Sequence, residues 1–484
     1  MDLLNYFYVY FLVVHILTFV FNLLTMKNLF LVIIGSIFLF SCQEKEYALD
    51  KTDLENLNPY GVEDSTIIKH SYLVFLNQDK YKPILDEFPL GPKSENEEVI
   101  EKATLAKINS ITKLAKNYGL ELDPEQVFVD AVSGFYFQDS SNAIIRKLLT
   151  QKGNGDIEDV QSDFFFYLQN PRARMQNGNT PLPQTIRARM QQNPSWGYNV
   201  AGYTSEAVLY LGGGQLRDTA QVSSAKVWVI DSGIDSNHQD LIGLVNMRLS
   251  KSFVDGSPGN DSWGHGTAMA GVIAAIPKNI NFSKDTTLIG MTGVSPGAEL
   301  VSVKVFGKNS EASYSDILRA LNYIIRNKAK QGDIVNLSLG NKIRNCHQYG
   351  LFSTIWRMAK NGIFFSIAAG NSFGPSSPVS ASQYLPACAE GENIFTIASF
   401  KLDYPTEEIK YSYYSNFGNP PIDWAIPGDY IFTTYPENNK YAVMEGTSLS
   451  AALMSGLLHL TRGNLNTKTS IVDSLGTSYP VPER

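Results

Sequence analysis

Between about residues 225 and 461, runs rich in Val and Ile alternate with stretches of helical period, and the runs are apolar almost throughout. AKVWVID, ELVSVKVF, DIVNLSLG, GIFFSIAAG and NIFTIAS are the runs, and helical stretches begin near 265, 314, 352 and 448. Such strands suit a parallel sheet covered on both faces. The expected fold class is α/β, with a doubly wound, mostly parallel sheet over 190–465.

A smaller pattern precedes it. HSYLVFL (70–76), a helical stretch near 96–118, VFVDAV (127–132), GFYFQ (134–138), SNAIIRKLL (141–149) and DFFFYLQ (163–169) read as β-α-β-β-α-β. Val99, Ile100, Ala103, Ile108, Ile111, Leu114 and Ala115 fall largely on one face of the first helix, as sheet packing requires. This is the split βαβ, ferredoxin-like order, and it places a small α+β domain at 61–169. Residues 43–60 are polar and acidic without an apolar period and read as a tether. Residues 170–189 are rich in Pro, Asn, Gln and Arg and read as a linker exposed to cutting. Residues 466–484 are too short for a domain and read as a tail.

Residues 1–25 are nearly all apolar or aromatic, and NLFLVIIGSIFLFSC follows Met26-Lys27. The second run has the anatomy of an export signal. Its end, Leu39-Phe40-Ser41-Cys42, resembles a bacterial lipobox, which implies lipidation of Cys42 and a membrane-anchored lipoprotein in the cell envelope. The alternatives are a plain hydrophobic anchor and a coincidental cysteine at the end of an apolar run. Outer membrane or cell surface is left open, since Gln43 does not resemble the Asp that often marks inner-membrane retention. A translation start at Met26 would explain why one apolar segment stands before another.

With 44% apolar and 18% charged residues, the 484-residue chain is globular and neither disordered nor a polytopic membrane protein. A formal charge of −7 without a basic cluster argues against a nucleic-acid partner. Three cysteines, Cys42, Cys346 and Cys388, are too few for a disulfide scaffold or an all-Cys zinc site.

Three polar residues each sit where an apolar element meets a glycine-rich turn. Asp231 ends KVWVI and precedes SGID, His265 lies in WGHGTAMAGVIAA, and Ser448 lies in MEGTSLSAALMSGLLHL at a loop-to-helix junction. Strand ends of open parallel sheets gather active sites, and a helix N-terminus favours negative charge. Taken singly, each residue is more often a turn former, a structural histidine or an N-cap. Together, in the order Asp231, His265, Ser448 and in the frames DSGID, GHGT and GTS, they resemble the subtilisin-like serine proteases, the subtilases.

The resemblance covers most of 190–465 and implies an Asp-His-Ser triad that hydrolyses peptide bonds through an acyl-enzyme. It also implies Asn371, in SIAAGNS, as an oxyanion-hole donor. Ser338, Leu339 and Gly340, in NLSLG, then pair with the substrate backbone, and YLPA (384–387) lines a specificity pocket. Cys346 and Cys388 correspond to places that carry a bridge in several secreted members, two buried free thiols being the alternative. Asp240, in NHQDL, matches an acidic position that binds calcium in some members, and the chemistry itself needs no cofactor. The 61–169 domain resembles the inhibitor-like propeptide of this family, which implies a zymogen cut in cis between about 165 and 190. Two departures stand out: Ala268 where a second histidine is usual, and Ala452-Leu453 where Pro-His is usual. The function expected is an exported, autoprocessed serine endopeptidase acting on peptides or proteins. The alternatives are a dedicated precursor-processing protease and a catalytically silent surface binding protein.

Overall fold

The computed structural model describes residues 49–90, 97–168, 172–176, 203–215, 223–277, 290–308, 310–327, 329–346, 350–372, 378–403, 406–436 and 440–484. The export signal, Cys42, residues 43–48 of the tether and most of the linker lie outside the described residues. Leu49–Asp139 and Ile144–Arg484 together form one compact unit. Among the described residues no helix is long and apolar enough to cross a membrane.

The N-terminal part follows the expected order: β1 (Ile67–Leu76), helix Glu97–Asn117, β2 (Val127–Phe128), β3 (Gly134–Gln138), helix Ala143–Leu149 and β4 (Ile157–Leu168). Its strands pair antiparallel in the order β4-β1-β3-β2. Ile108, Ile111, Leu114 and Ala115 of the long helix are buried in one cluster with Val74, Phe135 and Phe137 of the sheet. Two expectations change. The strand expected at 127–132 stops at Phe128, because the next residues bond elsewhere: Val129 and Asp130 carbonyls accept from Ile84 and Leu85, while Asp130 and Ala131 N–H groups donate to Asn322. The expected tether is folded from residue 49, with helix Lys51–Leu57 held by an Asp50/Asp53 capping box. Leu57 and Tyr60, each 1% exposed, anchor it as two isolated apolar residues rather than as a periodic stripe.

The chain continues through β5 (Arg172–Gln176), β6 (Tyr203–Thr204), β7 (Lys226–Asp231), β8 (Lys251–Ser252), β9 (Met291–Thr292), β10 (Glu299–Lys304) and β11 (Glu311–Ser313). Next come β12 (Ile334–Leu337), β13 (Leu339–Lys342), β14 (Phe364–Ala368), β15 (Tyr384–Leu385), β16 (Ile394–Asp403), β17 (Glu408–Tyr411) and β18 (Ile422–Pro427). The last are β19 (Ile431–Tyr435), β20 (Lys440–Glu445), β21 (Asn466–Val472) and β22 (Ser478–Glu483). The main sheet has the order β17-β16-β14-β12-β7-β10-β8, with β18 also on β16. All its pairs are parallel except the β17 edge.

Side-chain alternation explains the two helical layers. Val227 and Val229 of β7 pack in the cluster that holds helices His265–Ala274 and Thr447–Thr461. Trp228 and Ile230 point the other way, into the cluster with helices Tyr314–Arg326 and Leu351–Lys360. The 466–484 tail is a β21–β22 hairpin, fixed by buried Tyr479, which accepts from Gly418 N–H and donates to Asp473.

The N-terminal part shares the second cluster: Tyr60, Phe75, Phe128, Phe164 and Phe166 lie with Tyr314, Ile317, Leu321 and Ile355. Among the described residues the ion pairs across the seam have one polarity, acid on the N-terminal side and base on the other: Asp86–Arg357, Asp130–Arg326 and Glu125 with Lys251 and Arg319. Asp163 of β4 caps the Tyr314 helix, accepting from Ser315 N–H (3.1 Å), Ser315 Oγ (2.7 Å) and Ser71 Oγ (3.0 Å).

Burial raises the Asp163 carboxyl to about 6, and these donors offset only part of that cost. The folded state therefore binds this proton more tightly than the unfolded chain. The contribution stabilises the fold as pH falls through 6 toward 4 and is lost above 6, a change of about 3 kcal/mol. Asp163→Asn in the intact chain is expected to raise the unfolding midpoint at pH 7.5 and to raise it only about a third as much at pH 4.5. An unaltered gap between the two pH values would show that Asp163 does not set it.

Candidate active site

The order of strands reverses around β7: the chain goes to β10 and β8 on one side and to β12, β14 and β16 on the other. The carboxyl ends of β7 and β12 thus flank the switch point where open sheets bind ligands. Asp231 is the last residue of β7, and Ser338 directly follows β12, whose Leu337 is the register partner of Ile230.

His265 opens its helix after Gly264, which has φ 90°. A Cβ on Gly264 would lie 2.3 Å from Tyr435 Cζ, so only glycine allows the turn that delivers the histidine. His265 Nδ1 lies 2.8 Å from Asp231 Oδ2 and 2.9 Å from Oδ1, and both side chains are 1% exposed. A carboxylate can only accept, so Nδ1 carries the proton and Nε2 of the neutral ring is the acceptor. Among the described residues Nε2 has no hydrogen-bond partner although it is buried.

A second set of residues, which sequence reasoning passed over, holds Asp231. Ser232 N–H donates to Asp231 Oδ1 (2.7 Å), and Ser232 Oγ stands between Asp231 (3.1 Å) and Asp261 (2.8 Å) while accepting from Gly266 N–H. Asp261 accepts from Gly264 N–H, Thr267 N–H and Thr267 Oγ1, fixing the first turn of the histidine helix. Burial raises the Asp261 carboxyl and lowers the ammonium of Lys304, whose Nζ donates to the Ser232 and Asn260 carbonyls. The signal for this set was present: a lone lysine in the apolar run VSVKVF and an acid four residues before the histidine.

Ser448 is the second residue of helix Thr447–Thr461. Gly446 before it has φ 154° and ψ 157°, a region used essentially by glycine. Ser448 Oγ donates to the Ser338 carbonyl at 3.4 Å, and Ser338 Oγ donates to the Ser448 carbonyl at 3.0 Å. The structure therefore joins Asp231 to His265 directly and sets Ser448 beside the end of β12, one strand from Asp231, with its hydroxyl on Ser338 rather than on His265. Asn371 Oδ1 accepts from Thr447 N–H and Oγ1, both at 2.9 Å. That hold turns the amino end of the amide the other way.

Leu339 and Gly340 pair with Leu168 and Tyr167 of β4, and Glu311, Ala312 and Ser313 of β11 pair with Tyr167, Phe166 and Phe165. Residues Phe165–Leu168 thus fill a slot between β11 and β13 as a central antiparallel strand. The expected linker holds a further strand, β5, antiparallel to β20. Its five residues pair with an open edge, so Pro- and Asn-rich flanks did not prevent a strand. Cys346 and Cys388 are joined in a disulfide. Asp240 is fully buried, and its Oδ2 accepts from Met291 N–H (2.8 Å) and Tyr441 OH (2.7 Å). Among the described residues no cluster of three or more His, Cys, Asp or Glu side chains could hold a metal ion.

The model of the family described as Subtilase family matches residues 223–470, more than half of the chain. The chain belongs to the subtilase family. Thermitase from Thermoactinomyces vulgaris is 29% identical over 246 residues, covering 51% of this subtilase and 77% of thermitase. Subtilisin amylosacchariticus from Bacillus subtilis subsp. amylosacchariticus is 33% identical over 238 residues, covering 48% of this chain and 54% of that protein. The major intracellular serine protease of Bacillus subtilis (strain 168) is 33% identical over 241 residues, covering 49% and 67%. This subtilase thus spans only about half the length of some curated relatives that it matches. Its departures Ala268, Ala452 and Leu453 are all fully buried in the cluster between the histidine and serine helices, where they fill space.

Gly264→Ala is expected to cost more than about 2 kcal/mol, because the new methyl meets the Tyr435 ring at a positive φ. Denaturant midpoints would measure this, and a midpoint equal to wild type would mean that the turn does not need glycine.

Proposed function

We propose that this subtilase is a serine endopeptidase, made as an exported, lipid-anchored zymogen that cuts itself. The observation that carries the reading is the buried Asp231–His265 pair, its outer nitrogen without a partner among the described residues, with a serine at a helix start hydrogen-bonded at the end of the neighbouring strand β12.

A serine hydroxyl is a weak nucleophile while it holds its proton. His265 Nε2 is the base that removes it as Oγ attacks a peptide carbonyl, and it returns a proton to the leaving amine. Asp231 keeps the ring in the tautomer with Nδ1–H and stabilises the imidazolium. For this step Ser448 Oγ turns from the Ser338 carbonyl toward the imidazole, a rotation about χ1. The amino group of Asn371 and the Ser448 N–H meet the negative charge that grows on the carbonyl oxygen, and one such donor is worth ~10²–10³ in rate. Ser338, Leu339 and Gly340 on one side and β11 on the other align the substrate backbone before the bond. Acyl transfer of this kind requires no cofactor, and calcium at Asp240 would be structural.

The inhibitor role of the N-terminal domain is supported by its own strand in that slot. β4 enters as far as Leu168, and β5 resumes at Arg172 on the strand that leads into Ser448. On this reading the self-cleavage falls at a bond between Leu168 and Arg172, inside the interval of about 165–190 expected from the sequence. Once cut, the domain stays docked through its apolar seam and blocks the slot until it is removed. Cys42, acylated, would tether the precursor to the membrane.

Ser448→Ala is expected to leave purified protein as a single full-length chain, whereas wild type yields a fragment whose first residue lies between 169 and 172. N-terminal sequencing would read this, and normal processing of the variant would assign the cut to another protease.

A further inference from the structure

β20 delivers the chain into Gly446, Thr447 and Ser448. One edge of β20 is taken by β19, from Ile431↔Met444 to Tyr435↔Lys440. Its other edge carries β5 in five consecutive antiparallel pairs, from Glu445↔Arg172 to Tyr441↔Gln176. The same stretch of chain lies in the β11–β13 slot up to Leu168, with only residues 169–171 between the two strands. One continuous polypeptide is thus held as a strand in the β11–β13 slot and again as a strand on the segment that leads into Ser448.

We propose that the outer edge of β20 is a substrate-docking edge. The matured enzyme binds there, as an added antiparallel strand, the part of a polypeptide that follows the cleaved bond, and Arg172–Gln176 is its first occupant. This rests on the endopeptidase reading and sharpens its substrate class. A bond between Leu168 and Arg172 makes Gln176 the fifth to eighth residue after it. Strand addition uses main-chain groups, so affinity there comes from length and extended backbone more than from side chains. Tyr441–Met444 is held on its far side by β19, so the edge is preformed and needs no ordering to accept a partner. The substrates are therefore extended or unfolded protein segments cut well inside their length. Peptides that end just after the bond are poor substrates. A proline is disfavoured wherever the paired position needs its N–H.

Synthetic peptides of residues 161–178 of this chain, shortened one residue at a time from their C-terminal end, would be assayed with the matured enzyme. kcat/KM is expected to fall roughly ten-fold or more between the peptide ending at 176 and that ending at 173, which keeps every candidate bond with two or more residues after it. N-methylation of successive backbone nitrogens from 172 to 176 is expected to depress kcat/KM at alternate positions, the period of antiparallel hydrogen bonding. Equal rates for all lengths, or methylation effects without alternation, would overturn the docking edge while leaving the endopeptidase reading intact. Failure of matured protein to cut any peptide of the series would overturn the endopeptidase reading, and the edge's role with it.

Discussion

A carboxylate and an imidazole, both excluded from water, hydrogen-bond to each other at the carboxyl end of β7, and the rest of the molecule is arranged around keeping them there. Removing a carboxylate from water is costly unless donors replace the lost hydration. Asp231 gets such donors from the Ser232 N–H and His265. The neighbouring Asp261 ties the same serine to the first turn of the histidine helix. Two buried acids in such proximity need a positive charge, and Lys304 supplies it from the adjacent strand. The parallel sheet makes this possible because it brings the ends of β7, β10 and β12 together at one rim.

The N-terminal domain uses a different force. Its seam with the α/β part is a continuous apolar cluster in which Tyr60, Phe164 and Phe166 gather around Tyr314, with ring centroids 6.0, 4.9 and 6.0 Å from it. Aromatic burial on this scale outweighs the charge pairs at the rim, each of which keeps at least one partner in contact with solvent. The main chain completes the lock, since β4 is at once a strand of the small sheet and the middle strand of the slot. The strand that borders the small sheet is thus the same one that fills the slot.

Much of this was legible in the sequence. The apolar runs announced five strands of the main sheet, because a strand buried on both faces has to be apolar throughout, and the framed motifs marked Asp231, His265 and Ser448. The β-α-β-β-α-β order of the small domain was legible from its helix stripe and aromatic runs. What was not legible has physical causes. β2 ends early because Asn322, nearly 200 positions away, takes the N–H groups of Asp130 and Ala131. The helix at 51–57 rests on two apolar anchors, too few to show a period. Strand β5 is set by the free edge of β20, an interaction absent from local sequence. Ser448 facing the Ser338 carbonyl is a rotamer, and no motif encodes a rotamer.

The central claim is that Ser448 becomes a nucleophile because His265, held by Asp231, takes its proton. The most direct measurement is peptide mass mapping of matured protein after treatment with a fluorophosphonate. A single adduct on Ser448, lost in His265→Ala while that variant keeps its fold, is the expected result. No adduct on Ser448 in folded, matured protein, or undiminished labelling of the His265→Ala variant, would contradict the account.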